Sequence, residues 1–447
     1  MPNQNISDKT IADHILAYAR SNGADQADVM ISRGESTEVT QRLGKREAVL
    51  RSEDIDIGIR VFIGKRQAMV ASADDDKKTL EALTDQAIAM ARVVPEDEWC
   101  GLENEYAPIA FKGDLDLWDD KTPSTEELLE MAAQAEDAAR AVKNVTNSEG
   151  DAFFSAGQSL YATSTGFMGE KKGTSRGISA SVVVGKGEEK ERDSEYTRAR
   201  HTEDLKAADF VGRHAAERAT SRMHPQKIKT QKVPVIYDRR VSTSILGHLA
   251  GGLSGTSVAR GTTMLKDKMD QLVCAPHITI CDDPYLARGL ASKYFDGEGI
   301  IPSKRNIIED GHLKGWFLDL KAARQLGLPP TGNGQRGAGG LPSPSSHNLY
   351  MMAGEQSRED MIADIKNGFY VTELMGNSVS LLTGDYSRGA AGFWIENGQI
   401  THPVSEITIA GNLKDMWMHM QPANDLIFER GTEVPTLRID GMTIAGN

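Results

Sequence analysis

One histidine stands inside a glycine-rich helical pattern. Residues 246–255 read LGHLAGGLSG, with His248 near the centre. A histidine can serve as a metal ligand or as a general acid–base group. A hydrolytic zinc site needs two or three imidazole, carboxylate or thiolate ligands, and a carboxylate that takes a proton from the bound water. This segment supplies one imidazole, so its residue chemistry predicts no metal site.

Two aspartates could give His248 a role in acid–base catalysis. Asp238 or Asp385 could pair with it as an acid–base couple, although nothing in the sequence brings either aspartate close.

Residues 332–337, GNGQRG, match the glycine spacing of dinucleotide-binding loops, but no strand precedes them and no helix can follow them. We interpret them as part of a long glycine- and proline-rich loop, which we expect to face a substrate.

The helix around His248 carries an unusual number of glycines. Ile245, Leu249 and Leu253 give it a core face, and Ser242 or Thr243 could cap its first turn. The glycines are Gly247, Gly251, Gly252 and Gly255. Each interior glycine costs about 1 kcal/mol relative to alanine. We therefore expect the backbone of a substrate or a partner to approach this face closely.

The elements that must position these residues indicate an α+β protein. A helix at 8–21, a period-two stretch with glycine-marked turns and a helix at 77–94 are followed by the same order at 122–223. Ser124 and Glu127 form a capping box at the second start. The sequence predicts a helix–antiparallel-meander–helix unit duplicated in the N-terminal half, with Gly58 and Gly177 at matching strand starts.

The C-terminal half reads as β-rich with few helices. Asp310–Gly311 and Asn397–Gly398 each stand between short apolar runs, which is a strong hairpin signal. We expect three domains: an N-terminal α+β domain at 1–110, a middle α+β unit at 111–230, and a β-rich C-terminal domain at 231–447 that carries the glycine helix. An exposed strand edge in the last domain could bind an extended peptide.

Composition excludes several classes of protein. The 447 residues are 39% hydrophobic and 26% charged, with a net charge of −13, which disfavours nucleic acid as a partner. No apolar run approaches the ~20 residues of a membrane span, and no secretory signal is visible. The three cysteines show no disulfide or zinc-finger spacing. Cys281, followed by two aspartates, is expected to be a buried thiol. We expect a cytoplasmic protein.

Several passages resemble the TldD/PmbA family, also described as modulators of DNA gyrase. They are GIRVFIGKRQAMVASAD, VIYDRRVSTSILGHLAGGLSGTSVARG, YFDGEGI, TELMGNSVSLLTGDYSRGAAGFWIENGQITHPVSEITIAGNLKDM and PTLRIDGMTIAG. The resemblance extends from about residue 30 to the end of the chain. The family is regarded as a two-subunit metalloprotease, so the resemblance implies a role in proteolysis.

The resemblance also separates two branches of the family. In the catalytic, TldD-like branch a helix carries His-Glu-x-x-x-His, and a C-terminal cysteine completes the zinc site. Here Gly247 and Gly252 stand at the two histidine positions, His248 stands at the glutamate position, and no cysteine follows Cys281. The chain therefore resembles the PmbA/TldE branch, which implies no catalytic residue and no metal ligand in this chain.

The branch implies a partner and a substrate class. We expect a heterodimer with a TldD-like catalytic subunit that holds the zinc, acting on short or unfolded peptides such as peptide antibiotic precursors and labile antitoxins. A homodimer that binds peptides without hydrolysing them is the alternative. The residues expected to face the substrate or the partner are His248, Gly251, Gly252, Gly255 and Asn377.

Overall fold

The computed structural model describes residues 7–109 and 111–446. The first unit consists of α1 (Asp8–Ser21), β1 (Gln26–Arg42), β2 (Lys45–Ile63), β3 (Arg66–Ser72) and α2 (Lys77–Val93). The second unit consists of α3 (Thr125–Arg140), β4 (Val145–Thr163), β5 (Met168–Val184), β6 (Glu191–Ala199) and α4 (Ala208–Ser221). Both units run helix, three strands, helix, and the predicted capping box of Ser124 and Glu127 begins α3. The α+β class and the duplicated unit are confirmed.

The two units share one sheet. Its strand order is β3-β2-β1-β4-β5-β6, so each unit contributes a meander and the first strands of both units pair at the centre. The strands are longer than predicted because Gly34 and Gly58 lie inside strands, and only Leu43–Gly44, with positive φ, turns the β1–β2 hairpin. Gly58 and Gly177 both lie within strands, so the expectation that they start strands is wrong.

One face of this sheet is covered by helices. Val29 and Ile31 of β1 pack in one buried cluster with Ile11 and Ile15 of α1. Because side chains alternate along a strand, the even-numbered residues of β1 point to the opposite face. That opposite face, called the open face below, looks toward the C-terminal domain: Asp28, for example, bonds to Arg336 there.

The C-terminal domain is rich in short strands. Its elements are β7 (Gln231–Tyr237), α5 (Arg239–Gly252), α6 (Gly255–Arg260), β8 (Ile280–Asp283), β9 (Arg305–Glu309), β10 (His312–Leu313), α7 (Leu320–Leu326), β11 (Gly334–Gln335), β12 (Ser343–Pro344), β13 (Asn348–Met351), α8 (Arg358–Ala363), β14 (Asn367–Val379), β15 (Asp385–Glu396), β16 (Gln399–Asn412), α9 (Leu413–His419), β17 (Met420–Pro422), β18 (Thr432–Glu433) and β19 (Leu437–Ala445). Both predicted hairpins are confirmed: β9 pairs with β10, and β15 with β16.

The main C-terminal sheet closes on itself. Its order is β16-β15-β14-β7-β19-β17, and β16 also pairs with β19 over Thr408–Ala410. Tyr237, Phe369, Tyr386 and Ile409 fill the interior of the large core beside it. Closure pairs strands that would otherwise be sheet edges. Among the described residues, part of β14 stays unpaired on one side, because β7 pairs with it only over Phe369–Val371 while the strand continues to Val379. An exposed edge for strand addition in this half therefore stays a prediction.

Candidate functional site

The glycine helix α5 begins directly after strand β7. Asp238 is its N-cap, with its carboxylate accepting a hydrogen bond from the backbone N–H of Arg240 at 2.8 Å. The predicted caps, Ser242 or Thr243, are wrong because Asp238 already stands at the strand–helix junction. Ser242 lies inside the helix and donates to the carbonyl of Val434. The Asp238 cap and the hydrogen bond of Ser242 therefore fix the first turn of the helix directly after β7.

The predicted core face of α5 is confirmed. Ile245, Leu249 and Leu253 are each 1% exposed and belong to the main C-terminal core. Their four-residue spacing places them on one side of the helix. Gly247 lies on the opposite side of the helix and is exposed, whereas His248 lies at the margin of the core face and is half-buried.

The four glycines have different surroundings. A Cβ added at Gly247 would meet nothing within 4 Å, and one at Gly251 would meet only Leu381, at 3.3 Å. Gly252 is buried against Leu265 and Thr263. Gly255 is packed so tightly that an added Cβ would lie 2.6 Å from Leu318 and 2.8 Å from Ala322. The expectation that Gly252 and Gly255 face a substrate or partner is corrected: the close approach is internal.

Asn377 lies away from the regular part of its strand. The pairing of β14 with β15 is interrupted between Met375 and Ser378, and Gly376 there has a φ of +68°. Asn377 is exposed in this bulge, and its side chain bonds to no other described residue. Its role at the substrate or partner surface stays a prediction.

His248 lies in an aromatic and cationic setting. Its ring meets the edge of the Tyr386 ring at a centroid distance of 5.9 Å, and Tyr386 shares a 3.4 Å hydroxyl contact with Tyr237. The Nε2 atom of His248 is shielded from solvent and bonds to no described residue. Burial, and then the charge of Arg388, lower the pKa of His248 below its ordinary value. The imidazole is therefore neutral at neutral pH.

The acid–base couple considered for His248 is not supported. Asp238 caps α5 and accepts from the hydroxyl of Tyr370, and Asp385 is exposed and accepts from Thr383 at 2.6 Å. Within residues 7–109 and 111–446, neither carboxylate bonds to His248. Tyr386 and Arg388 are instead the groups near this histidine, and sequence reasoning did not single them out.

Zinc does not fit the residues around His248. Gly247 and Gly252 offer no donor atom, and the nearby guanidinium of Arg388 repels a cation. In the described ranges, no group of three or more His, Cys, Asp or Glu side chains is placed to hold a metal ion. The cysteines are buried, and burial raises the pKa of Cys100, Cys274 and Cys281. The residues around His248 therefore supply neither the ligands nor the general base of a hydrolytic zinc site.

Part of the glycine-rich loop at 332–340, which we expect to face a substrate, packs against the N-terminal sheet. Arg336 reaches the open face of the N-terminal sheet and donates to Asp28 at 2.7 Å. The neighbouring Ala338 lies against Gly58 so closely that an added Cβ there would be 1.9 Å from its carbonyl oxygen. Gly58 was the signal for this contact, because a glycine inside a strand often marks close backbone approach. The loop joins the two halves of the chain.

Asp28, Arg60, Arg336 and Tyr161 form a buried group, called the Asp28 cluster. The carboxylate of Asp28 accepts from Arg60 Nε at 2.9 Å and from the Tyr161 hydroxyl at 3.1 Å, in addition to Arg336. Asp28 and Arg336 have fully buried side chains. Although burial alone would raise the pKa of Asp28, Arg336 and Arg60 hold it below its ordinary value. The carboxylate therefore stays ionised between two cations.

Three family models match successive parts of the chain. The model for the PmbA/TldA metallopeptidase domain 1 matches residues 27–91, the one for the central domain matches 118–223, and the one for the C-terminal domain matches 230–446. The domain boundaries expected near residues 110 and 230 stay predictions. In the part of the chain that the structure describes, no helix combines the length and apolarity needed to cross a membrane.

Individual relatives cover nearly the whole chain. The chain is 38% identical to the metalloprotease PmbA of Escherichia coli O157:H7 over 96% of its own length and 94% of the relative's. It is 33% identical to a PmbA homolog of Haemophilus influenzae over 94% and 92%, respectively. A TldD homolog from the same species is 31% identical, but over 45% of each chain.

Solved structures share the fold. A modulator of DNA gyrase from Bacteroides thetaiotaomicron superposes with a TM-score of 0.91 at 26% identity, covering 99% of this chain and 100% of that one. TldE from Thermococcus kodakarensis shares the fold with a TM-score of 0.86 at 22% identity, covering 98% and 100%. The three family models and the full-length relatives show that the chain belongs to the PmbA/TldD metallopeptidase family.

Proposed function

We propose that this chain is the non-catalytic subunit of a heterodimeric cytoplasmic metalloprotease, and that it positions peptide substrates for a TldD-like subunit that holds the zinc. The observation that carries the proposal is the helix α5, where Gly247 and Gly252 stand at the positions that would hold histidine ligands. The only imidazole in the segment, His248, is neutral and lies beside Arg388. A chain built this way contributes to proteolysis through binding rather than through chemistry.

The similar proteins support an assignment of this chain to the PmbA/TldE branch of the family. PmbA proteins align with this chain over more than nine tenths of its length, whereas the TldD homolog of Haemophilus influenzae aligns over 45%. A separate TldD-like chain therefore remains the source of the metal-binding helix in this proposal. The substrates would be short or unfolded peptides, of the kind found in peptide antibiotic precursors and labile antitoxins.

The test compares three preparations. Peptidase activity on an unfolded peptide is measured for this chain alone, for a TldD-like chain with His-Glu-x-x-x-His alone, and for the mixture, with zinc content determined for each. We expect activity in the mixture only, and zinc only in the TldD-like chain. As a control, replacing the glutamate of the partner's motif by glutamine should abolish the activity of the mixture without preventing pairing.

Two outcomes would reject the proposal. Stoichiometric zinc with hydrolysis by this chain alone would make it an enzyme in its own right. Peptide binding by a homodimer that neither pairs with the TldD-like chain nor raises its activity would favour the alternative, a peptide-binding module. Size-exclusion chromatography with light scattering distinguishes the homodimer from the heterodimer.

A further inference from the structure

A cleft of about 880 Å³ lies between the open face of the N-terminal sheet and the C-terminal domain. This volume is within the range of about 300–1,000 Å³ that small-molecule sites occupy. On the sheet side, Gly34 of β1 stands directly opposite Gly157 of β4, so the floor there is bare backbone. Lys171 of β5 continues this floor, and Ser292 and Lys293 line the side that the C-terminal domain contributes.

Two lysines that line the cleft form no direct bond to a carboxylate in the described ranges, although the buried carboxyl group of Asp296 attracts both of them from beyond ion-pair distance. The Nζ atom of Lys171 donates to the backbone carbonyl of Asp296 at 3.1 Å and lies 4.2 Å from the centroid of the Phe295 ring. Lys293 is half-buried, and its ammonium forms no hydrogen bond or ion pair with any residue in the described ranges. Burial, and then the charge of Lys293, lower the pKa of Lys171 to about 7. The two ammonium groups are therefore close enough to repel each other.

Arg200 adds a third cation of the same kind. Its Nη1 atom donates to the carbonyl of Thr174 at 3.0 Å and its Nη2 atom to the carbonyl of Leu290 at 2.7 Å. Its Nε atom is shielded from solvent without a partner among the described residues. Backbone carbonyls carry only partial charge, so they hold the guanidinium in place and leave its full charge uncompensated.

Other charges along this cleft behave differently. Arg33 is paired with Asp8 and with Asp75, at 2.9 Å in both cases. Exposed acidic side chains lie around the cleft, where water solvates them; they are Asp54, Asp56, Asp114, Asp120 and Glu170. Exposed carboxylates and half-buried basic groups therefore line the same cleft, and no carboxylate in the described ranges bonds directly to Lys171, Lys293 or Arg200. Buried charge is costly unless an opposite charge is supplied, so the floor favours an anion.

We propose that Lys171, Lys293 and Arg200 form a subsite that binds a carboxylate of a peptide lying in this cleft. The choice of a peptide rests on the proposed function and on the size of the cleft, which exceeds what a small anion needs. The carboxylate is either the C-terminus of the peptide or an acidic side chain. Charge-assisted hydrogen bonds to lysine and arginine would hold it, and the bare backbone at Gly34 and Gly157 would leave room for the rest of the chain.

The test uses the full chain without any partner subunit. Three N-acetylated apolar peptides of equal length are compared by isothermal titration calorimetry: a free acid, a C-terminal amide, and an amide with one internal glutamate. We expect at least one carboxylate-bearing peptide to bind about tenfold more tightly than the uncharged amide. The peptide that gains affinity identifies the source of the carboxylate.

Variants test whether the two lysines cause the tighter binding of peptides that carry a carboxylate. Lys293→Gln should remove most of the carboxylate preference. Because that side chain bonds to no described residue and its half-buried charge is costly, the melting temperature should not fall. Lys171→Gln provides a second variant, checked for folding because Lys171 also contacts Phe295. Lys45→Gln, on an exposed lysine at the start of β2, is the matched control and should keep the preference.

Several results would overturn this assignment. Equal affinity for the acid and amide peptides would do so, as would a carboxylate preference that survives in folded Lys171→Gln and Lys293→Gln. Binding of inorganic phosphate alone, with the same lysine dependence and no peptide binding, would reassign the site to a small anion. Because the partner is absent from this experiment, carboxylate binding with no activity in the mixed-subunit assay would contradict only the proposed function.

Discussion

Two groups of charges at the same interface are built in opposite ways. In the Asp28 cluster, two buried guanidinium groups share one carboxylate, and a tyrosine hydroxyl completes the hydrogen bonds. Along the cleft, Lys171 and Arg200 donate hydrogen bonds to backbone carbonyls. Lys293 donates none, and no carboxylate in the described ranges bonds directly to any of the three.

The difference separates a structural use of charge from a binding use. In a buried ion pair, each charge is compensated by its partner, so neither attracts a ligand. Removing one partner leaves the other charge buried without compensation, which is strongly destabilising. Half-buried cations without a counterion keep their attraction for an anion that arrives from solution. The first arrangement joins the domains, and the second is available to a substrate.

Breaking the Asp28 cluster should produce the largest effect. Asp28→Asn keeps the shape of the side chain but leaves Arg60 and Arg336 buried without a counterion. We expect the free energy of unfolding to fall by about 3–5 kcal/mol, measured by chemical denaturation. The control is Asp75→Asn, because its partner Arg33 is solvent-accessible and the loss should stay below about 1 kcal/mol. Equal losses in the two variants would show that the buried ion pairs of the Asp28 cluster stabilise the fold no more than an exposed pair does.

A carboxyl beside this cluster should make stability depend on pH. Burial, and then the charge of Asp296, raise the pKa of Glu298 from an ordinary value near 4.5 to about 8. The folded protein therefore binds this proton more tightly than the unfolded chain. Between pH 5 and pH 7 the free energy of unfolding should decrease as pH rises, by at most a few kcal/mol.

Glu298→Gln is the matched variant for this pH dependence. It keeps an oxygen that can accept the 2.8 Å hydrogen bond from the backbone N–H of Leu320 and removes the titration. Arg60, Asp296 and Asp319 are the charged groups that act on Glu298. Denaturation curves of the variant should show a flatter pH profile over the same window. A profile as steep as that of the unchanged chain would assign the effect to another group.

The glycines of α5 allow a smaller and more local test. Leucine at Gly252 would have to displace Leu265 and Thr263, which lie 3.1 and 3.2 Å from the position of an added Cβ. We expect Gly252→Leu to lower the free energy of unfolding by about 1–3 kcal/mol through overpacking. A folded variant of undiminished stability that fails to pair or to support cleavage would show that this glycine faces a partner after all.

The smallest expected effect is a gain in stability. Gly247 is exposed in the interior of α5, with nothing within 4 Å of an added Cβ. Gly247→Ala should raise the free energy of unfolding by about 1 kcal/mol because alanine favours the helix. Thermal melting measures this change. If the peptidase activity of the mixed subunits falls while stability rises, this face of α5 contacts the substrate or the partner.

Much of the fold was readable from local patterns. Helix periodicity and the capping box of Ser124 and Glu127 placed the helices of the first half, and Asp310–Gly311 and Asn397–Gly398 marked hairpins correctly. The predicted strands are too short because the sequence pattern treats glycine as a turn residue. Gly34 and Gly58 stay in extended strands, where the missing side chain serves pairing and close contact rather than chain reversal.

The sequence by itself determined what α5 lacks: no side chain at Gly247 or Gly252 can bind a metal, whatever the fold. Only the tertiary structure decided which glycines are internal, that Arg336 is paired with Asp28, and that Lys171 and Lys293 line one cleft without a directly bonded carboxylate in the described ranges. The physical reason is that ligand chemistry belongs to a residue type, whereas burial and charge compensation depend on neighbours far apart in the chain. Asp28 and Arg336 are separated by 308 positions, and no local pattern reports their contact.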